Sequence, residues 1–510
     1  MSLFKASATI SGMTLTSRVF GFIRDVLLAR LLGASAMADA FVVALRLPNM
    51  LRQLFAEGAF NVAFVPFLSH RLEEKGQPEA EKFAGAVFAW LMLLVLALTI
   101  LGMVFMPWVV LAIAPGFADD PATLTLTTDL ARVTFPYFIF IVATSFMGGV
   151  LNTLHRFAAF AAAPVLLNLS FIGCLLFLPE AFTLPVYAAA VAVPLGGLLQ
   201  VLLMVVAVRR SGFRLRLGRP HKHGDIKPLA CKIAPTFVGV GAQQINTFLT
   251  TVLASTLMPG SISYLFYADR LNQLPLALIG IAIATAMLPS LSKAFKNGPA
   301  KDAQRLLGQG LSAALALGLA AGAGLSMLAY EVITVLFVRG AFDATAAHLT
   351  SLALVAFAAG LPAWILVKVT SGAFYARGNT KTPVKTALVS IAINICLMLL
   401  LMPHYGHVGL ATAAASASWC HLLLQLYLMR RHGIVAGTFW RTLMPYAIKA
   451  GVITLLMVAA LALIKTSAPF PAGFISQLIW LVLVICIAGF FWAGLAVLAR
   501  LHKPFLAFKT

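Results

Sequence analysis

The chain has 510 residues, 61% of them hydrophobic and only 10% charged, with a mean hydropathy of +0.96 and a formal net charge of +21. Soluble domains carry about 25% charged residues and under half apolar ones, so no water-soluble fold could hide this surface; the composition defines a polytopic membrane protein. The positive balance is the kind that cytoplasmic loops of membrane proteins collect as Lys and Arg, and it argues against nucleic-acid binding.

A membrane-crossing helix needs about 20 mainly apolar residues. Segmentation at that length predicts an all-α polytopic membrane protein with fourteen spans: 10–33, 40–69, 84–113, 127–154, 161–179, 186–208, 228–257, 263–292, 306–337, 346–375, 382–402, 407–429, 442–464 and 475–499. The start of the chain, with Lys5 but no long apolar core before Arg18 and no cleavage site, reads as the beginning of the first span and not as a signal peptide.

The first span, "SRVFGFIRDVLLARLLG", carries Arg18, Arg24, Asp25 and Arg30. An ionised side chain at a helix centre costs about 2.5–3.5 kcal/mol on insertion scales, and such groups face a partner or a water-filled cavity. Arg30 lies near the span end and reads as a snorkelling side chain. At about 100° per residue, Arg18 and Asp25 share one face; the pair reads either as a salt bridge or as part of a polar stripe. Arg24 lies off that stripe, so a second polar partner must face it. The second span adds Asp39, Arg46, Arg52 and Glu57 on more than one face. A water-filled cleft explains this better than buried ion pairs alone. Gly12, Gly21 and Gly33 in the first span, and Pro48, Pro66, Pro275 and Pro289 in the second and eighth, supply points of bending.

Loop charge alternates. Arg71, Lys75, Lys82, Arg156, the 209–227 stretch, Lys293, Lys296, Arg377, Lys381, Arg430 and Arg431 fall in one set of loops; the other set holds only Arg339 and Lys465. With basic termini as well, the positive-inside rule places both ends in the cytoplasm.

The second half echoes the first. "RLPNMLRQLF" from Arg46 is matched by "RLNQLPLALI" from Arg270, an offset of 224; "APGF" ending at Phe117 by "RGAF" ending at Phe342; Pro136 by Pro362. An offset of six spans preserves orientation, so the repeats are parallel, an architecture suited to alternating access. The predicted organisation is a first lobe over 1–210, a basic cytoplasmic linker over 211–227 and a second lobe over 228–432. Two unrepeated spans and a basic tail follow over 433–510.

In the second half, Asp269 and Arg270 open the eighth span, and Lys368 sits in the middle of the tenth in "WILVKVTSG". Cations exceed acids among these intramembrane residues, and such a cleft attracts anions. Arginine's planar fork suits phosphate and carboxylate. The five cysteines form no Cys-x-x-Cys pair, and disulfides and zinc are not expected. His221 and His223 fall in the basic loop, and His404 and His407 in an outer turn, where they read as solvated. The adjacent Asp119 and Asp120 lie in an outer turn as well, which leaves a metal-dependent polyprenyl transferase without its paired membrane-facing carboxylates. No filter-like ring of polar residues points to a channel.

"SRVFGFIRDVLLARLLG", "ADAFVVALRLPNMLRQLFAEGAFNVAFVPFLS" and "YADRL…LPSLSK" resemble the MurJ (MviN) family of lipid II flippases, within the multidrug/oligosaccharidyl-lipid/polysaccharide exporter superfamily. The resemblance implies a transporter, not an enzyme, of the bacterial inner membrane. Its expected cargo is lipid II, its surroundings membrane lipids, and its associates the cell wall synthesis machinery. It implies that Arg18, Arg24, Arg52 and Arg270 bind the substrate's pyrophosphate and carboxylates, and that Asp39 occupies a functional acidic position. Asp25, Glu57, Asp269 and Lys368 are, with Asp39, candidate cavity or coupling residues, and the resemblance implies that the last two spans form a groove for the polyprenyl tail. No catalytic residue, cofactor or metal is implied. The resemblance implies an acid where this chain has Gln273, and spans seven and eleven contain no Asp or Glu for a sodium site. The rival readings are a flippase for another polyprenyl-pyrophosphate-linked saccharide and a multidrug exporter, which would need more cavity carboxylates.

Overall fold

The computed structural model describes residues 3–56, 59–215, 231, 244–297, 300–435 and 437–501. Glu57, His221, His223 and most of the basic linker lie outside the described residues. All regular structure among the described residues is helical, and ten helices are long and apolar enough to cross a membrane.

The chain divides into two compact units, one of Met1–Ser263 with Arg339–Phe342, the other of Tyr264–Val338 with Asp343–Thr510. The first is built from α1 (Leu3–Leu32), α2 (Ala36–Ala56), α3 (Ala59–Val104), α4 (Met106–Ile113), α5 (Pro121–Thr134), α6 (Tyr137–Thr153), α7 (Ala158–Phe177), α8 (Val186–Arg210) and α9 (244–254). Gly76, at φ 76°, breaks α3 into two helical pieces. One end of its core is aromatic: Phe64 and Phe88 stand 4.6 and 4.9 Å from the Phe146 ring.

From Ser261 the chain runs on as α10 (Ser261–Pro275), a wide π turn over Leu276–Ile281, and α11 (Ala282–Asn297). Pro275 explains the wide turn. Its ring displaces the carbonyl one turn back and it has no N–H to donate, so the ladder opens there. Then come α12 (Ala300–Met327), α13 (Ala329–Phe337), α14 (Ala344–Ala376), α15 (Lys381–Arg431), α16 (Gly437–Ser467) and α17 (Phe474–Leu498). The last two pack Ile453, Met457, Leu461, Val484 and Ala488 in one core with Ala316 of α12, Val335 of α13 and Leu328 at their junction. Lys465 adds an ion pair to buried Glu331 at 2.6 Å and a hydrogen bond to the Met327 carbonyl.

Local devices recur at corresponding places in the two units. Asp120 caps α5 by accepting the N–H groups of Ala122 and Thr123, and Asp343 caps α14 by accepting that of Ala346. Arg156 donates to the Arg210 carbonyl, and Arg377 to that of His432. Burial corrects one expectation: His404 is exposed, but His407 is buried against the Tyr264 ring, with Nε2 3.0 Å from the Leu349 carbonyl. The kink at Gly406, with φ 54°, turns the chain back at that point and carries His407 inward.

Candidate functional site

Two turns of α1 present its polar residues differently. Arg18 is exposed, Arg24 half-buried and Asp25 buried at 4% exposure. Asp25 pairs with Arg24, whose Nε and Nη2 reach Oδ1 at 3.0 and 2.8 Å. The alternative pairing of Asp25 with Arg18 is thereby corrected, and no polar partner of Arg18 is found among the described residues. Neighbouring residues on a helix diverge by about 100°, but arginine's long stem lets the guanidinium wrap back across that angle.

The second partner that Arg24 requires comes from α7. Asn168 accepts from Nη1 at 3.0 Å, and its own amide donates to the Ser17 carbonyl at 2.9 Å. The Phe171 ring, one turn further on, lies 5.3 Å beneath the guanidinium. The amide's direction follows, because the oxygen must meet the cation and the NH₂ the carbonyl. These bonds engage Nε–H, one Nη1–H and one Nη2–H of five donors. The guanidinium is thus held in a fixed plane with donor capacity in reserve. Neither Asn168 nor Phe171 was singled out from the sequence, where both read as ordinary parts of an apolar span.

Asp39 occupies a different environment in the same unit. It is 3% exposed and accepts three short hydrogen bonds: Gly260 N–H at 2.6 Å, Ser263 N–H at 2.7 Å and Ser263 Oγ at 2.6 Å. Those donors belong to the first turn opening at Ser261, whose unpaired N–H groups and positive dipole end suit a carboxylate. With its lone pairs so engaged, Asp39 is a clasp in this structure. Arg52 is half-buried on α2, beside Gln53, which accepts from the Gln244 amide.

In the second unit, Asp269 and Arg270 are half-buried on α10. The Arg270 guanidinium lies 4.8 Å over the Phe266 ring, one turn back. Gln273, one turn ahead, donates its amide to Asp269. A carboxylate at 273 would set two like charges a turn apart; glutamine replaces that repulsion with a hydrogen bond.

Lys368 is exposed on α14 and interacts electrostatically with His421 of α15. Behind it lies a polar network with no signal in hydropathy or charge. Gln425, fully buried, donates to Ser371 Oγ at 3.0 Å and to His421 Nε2 at 3.1 Å, and accepts from Thr370. Thr386 Oγ1 completes it, 3.1 Å from His421 Nε2.

Long apolar helices carrying oriented, half-buried arginines define a polytopic transporter, and the fold agrees. An inward-facing multidrug resistance MATE family transporter of the MOP superfamily superposes with a TM-score of 0.68, at 16% identity, over 85% of this chain and 99% of that one, a likeness of fold alone. A solved "Lipid II flippase MurJ, inward closed conformation" is closer: TM-score 0.81 and 26% identity over 96% of this chain and 98% of that one. A "Probable lipid II flippase MurJ" of Rhizobium meliloti is 41% identical over 83% of this chain and 80% of its own. The model of the family described as lipid II flippase MurJ matches residues 28–484. The chain belongs to the MurJ family of lipid II flippases.

Proposed function

We propose that this protein carries lipid II, a disaccharide-pentapeptide on undecaprenyl pyrophosphate, from the inner to the outer leaflet of the bacterial inner membrane for peptidoglycan synthesis. The reading rests on family membership and on one observation above all: Arg24 is fixed in plane by Asp25, Asn168 and Phe171 while keeping N–H donors to spare. A guanidinium so prepared loses little freedom on binding, which suits bidentate recognition of a pyrophosphate.

In this reading the chain crosses the membrane fourteen times, with both termini cytoplasmic. The lobes over 1–210 and 228–432 are parallel repeats joined by a basic linker over 211–227. Residues 433–510 supply a groove that leaves the polyprenyl tail in lipid. Arg18, Arg24, Arg52 and Arg270 bind the pyrophosphate and the peptide carboxylates. Asp25 orients Arg24, and Asp269, held by Gln273, does the same beside Arg270. Lys368 adds positive charge, and Asp39 releases its clasp as the protein changes state. Glu57 belongs to the same acidic complement. The cargo is moved and not chemically altered, so no covalent step is assigned. Net movement draws on a driving force outside the binding energy, because binding alone shifts populations without pumping. Passing the cargo to the cell wall synthesis machinery outside completes the cycle.

The deciding experiment depletes the protein from cells and adds, from outside, an enzyme able to cleave only exposed lipid II. The expected result is that lipid II becomes protected, that the parent chain restores its exposure, and that Arg24→Ala does not. Lipid II that stays fully cleavable after depletion would assign this chain a different cargo, another polyprenyl-linked saccharide first.

A further inference from the structure

The "APGF" and "RGAF" turns repeat in the sequence, and neither has a place in substrate binding. Both bring a glycine backbone against the end of a helix, and both contacts lie within the first unit. Ala341 donates its N–H to the Arg30 carbonyl at the end of α1, at 2.9 Å. Around that bond the backbones touch directly: a Cβ on Gly340 would fall 2.4 Å from the Arg30 oxygen, and one on Gly33 2.4 Å from the Ala341 oxygen. In the other contact Gly116 donates its N–H to Ser255 Oγ at 3.1 Å, just past the end of α9. A Cβ on Gly116 would fall 2.1 Å from the Ser255 oxygen. Phe117 and Phe342, which end the two motifs, are both buried and anchor their turns.

The pairing is reciprocal. The two donors, Gly116 and Ala341, are 225 residues apart, and the residues they meet, Ser255 and Arg30, are also 225 apart. The turn of each repeat therefore docks on the end of the other repeat's first helix. Asp39 and Ser263, the clasp described above, are also 224 apart, so there the two repeat mates hold each other directly. All three contacts lie at the opposite end of the first unit's helices from its basic loops at 71–82 and 209–215, which meet where Gln77 donates to the Gly212 carbonyl. Backbone against backbone at glycine is a tight fit with no soft side chain to yield, so each contact is either made or lost.

We propose that the two glycine turns form a two-point latch, closing the outer face of the protein and releasing as a pair when that face opens. The proposal rests on the alternating-access reading above and adds to it the parts that hold the outer face shut. Bulk at either glycine weakens the latch from one side. Loss of both leaves the Asp39 clasp to hold the face alone.

The test replaces Cys174, Cys231, Cys396, Cys420 and Cys486 with serine and places a single reporter by Ala38→Cys, next to Asp39 and 1% exposed. A membrane-impermeant maleimide is added outside intact cells, and the labelling rate is measured for the full chain. Gly116→Ala and Gly340→Ala should each raise the rate several-fold, and the double variant more than either. Gly378→Ala is the control: its φ is +73°, but an added Cβ meets open space, so it imposes backbone strain without touching the latch and should leave the rate unchanged. Where a glycine variant fails to reach the membrane, Ser255→Ala removes the Gly116 hydrogen bond, along with the hydroxyl's bond to the Val252 carbonyl, without adding bulk, and should raise the rate by a smaller factor. Parental labelling rates in the folded latch variants, or an equal rise in Gly378→Ala, would overturn the proposal. The assay involves no lipid II, so a different cargo would leave its outcome unchanged, and a failed latch would leave the flippase reading standing.

Discussion

Each unit builds a polar cluster between two apolar helices, and the two clusters differ in what they leave available. In the first, α1 and α7 bring together a guanidinium, a carboxylate and an amide, with arginine N–H groups in reserve. In the second, α14 and α15 enclose a neutral network around Gln425, whose amide oxygen and nitrogen are both engaged by hydroxyls and a histidine. A satisfied neutral network rigidifies packing, and no member of it gains by meeting a ligand. An oriented charge with spare donors is the opposite case. Burial alone does not separate them; the separating property is unspent hydrogen-bonding capacity.

The largest effect should come from removing that capacity. Arg24→Ala, and Arg270→Ala in the second unit, should abolish transport with unchanged amounts of folded protein in the membrane, measured by growth after depletion of the parent chain. Normal growth on Arg24→Ala would reduce the first cluster to a structural one and erase the contrast. Asn168→Ala should come next. It removes a hydrogen bond to a charged group, worth about 1.5–3 kcal/mol, and should slow transport about tenfold or more while shifting the thermal midpoint little.

Gln425→Leu should invert that pattern. Orphaned hydroxyls around it should cost about 1–3 kcal/mol of stability, seen as a lower melting temperature, with transport per folded molecule retained. Lost transport at an unchanged midpoint would make the second cluster the functional one. The smallest effects should be at the matching helix caps. Asp343→Ala should cost about 1 kcal/mol of stability. Hydrogen bonds from the Thr123 hydroxyl and backbone N–H groups hold Asp120 below the usual carboxylate range. Its charged form therefore stabilises the fold at neutral pH, and that contribution disappears as pH falls through the lowered value. The stability gap between parent and Asp120→Ala should narrow in acid; a constant gap would show that charge plays no part in the cap.

Composition and hydropathy sufficed for the class of fold, because a lipid solvent imposes long apolar helices whatever else the chain does. The Arg46 and Arg270 motifs suggest a repeat, and the charge excess suggests an anionic ligand. What sequence could not supply was pairing across helices. Asn168 lies 144 residues from Arg24, and one asparagine in an apolar span carries no periodic signal. Seven-residue spacing suggested Arg18 as partner to Asp25, but a flexible arginine stem brought Arg24 to it instead. His407 misled because a turn-like stretch is read as solvated, and only the three-dimensional path after Gly406 shows the ring meeting Tyr264.

The wide turn over Leu276–Ile281 has a consequence for rotational phase. It adds one residue relative to an unbroken α-helix, about 100° of rotation about the axis. Asp269, Arg270 and Gln273 therefore point where an extrapolation back from Ala282–Asn297 would not place them. Deleting one residue from this segment would leave charge, hydropathy and span length almost untouched and still swing Arg270 by more than a quarter turn. In this helix the aim of a charge is set by a count of apolar residues.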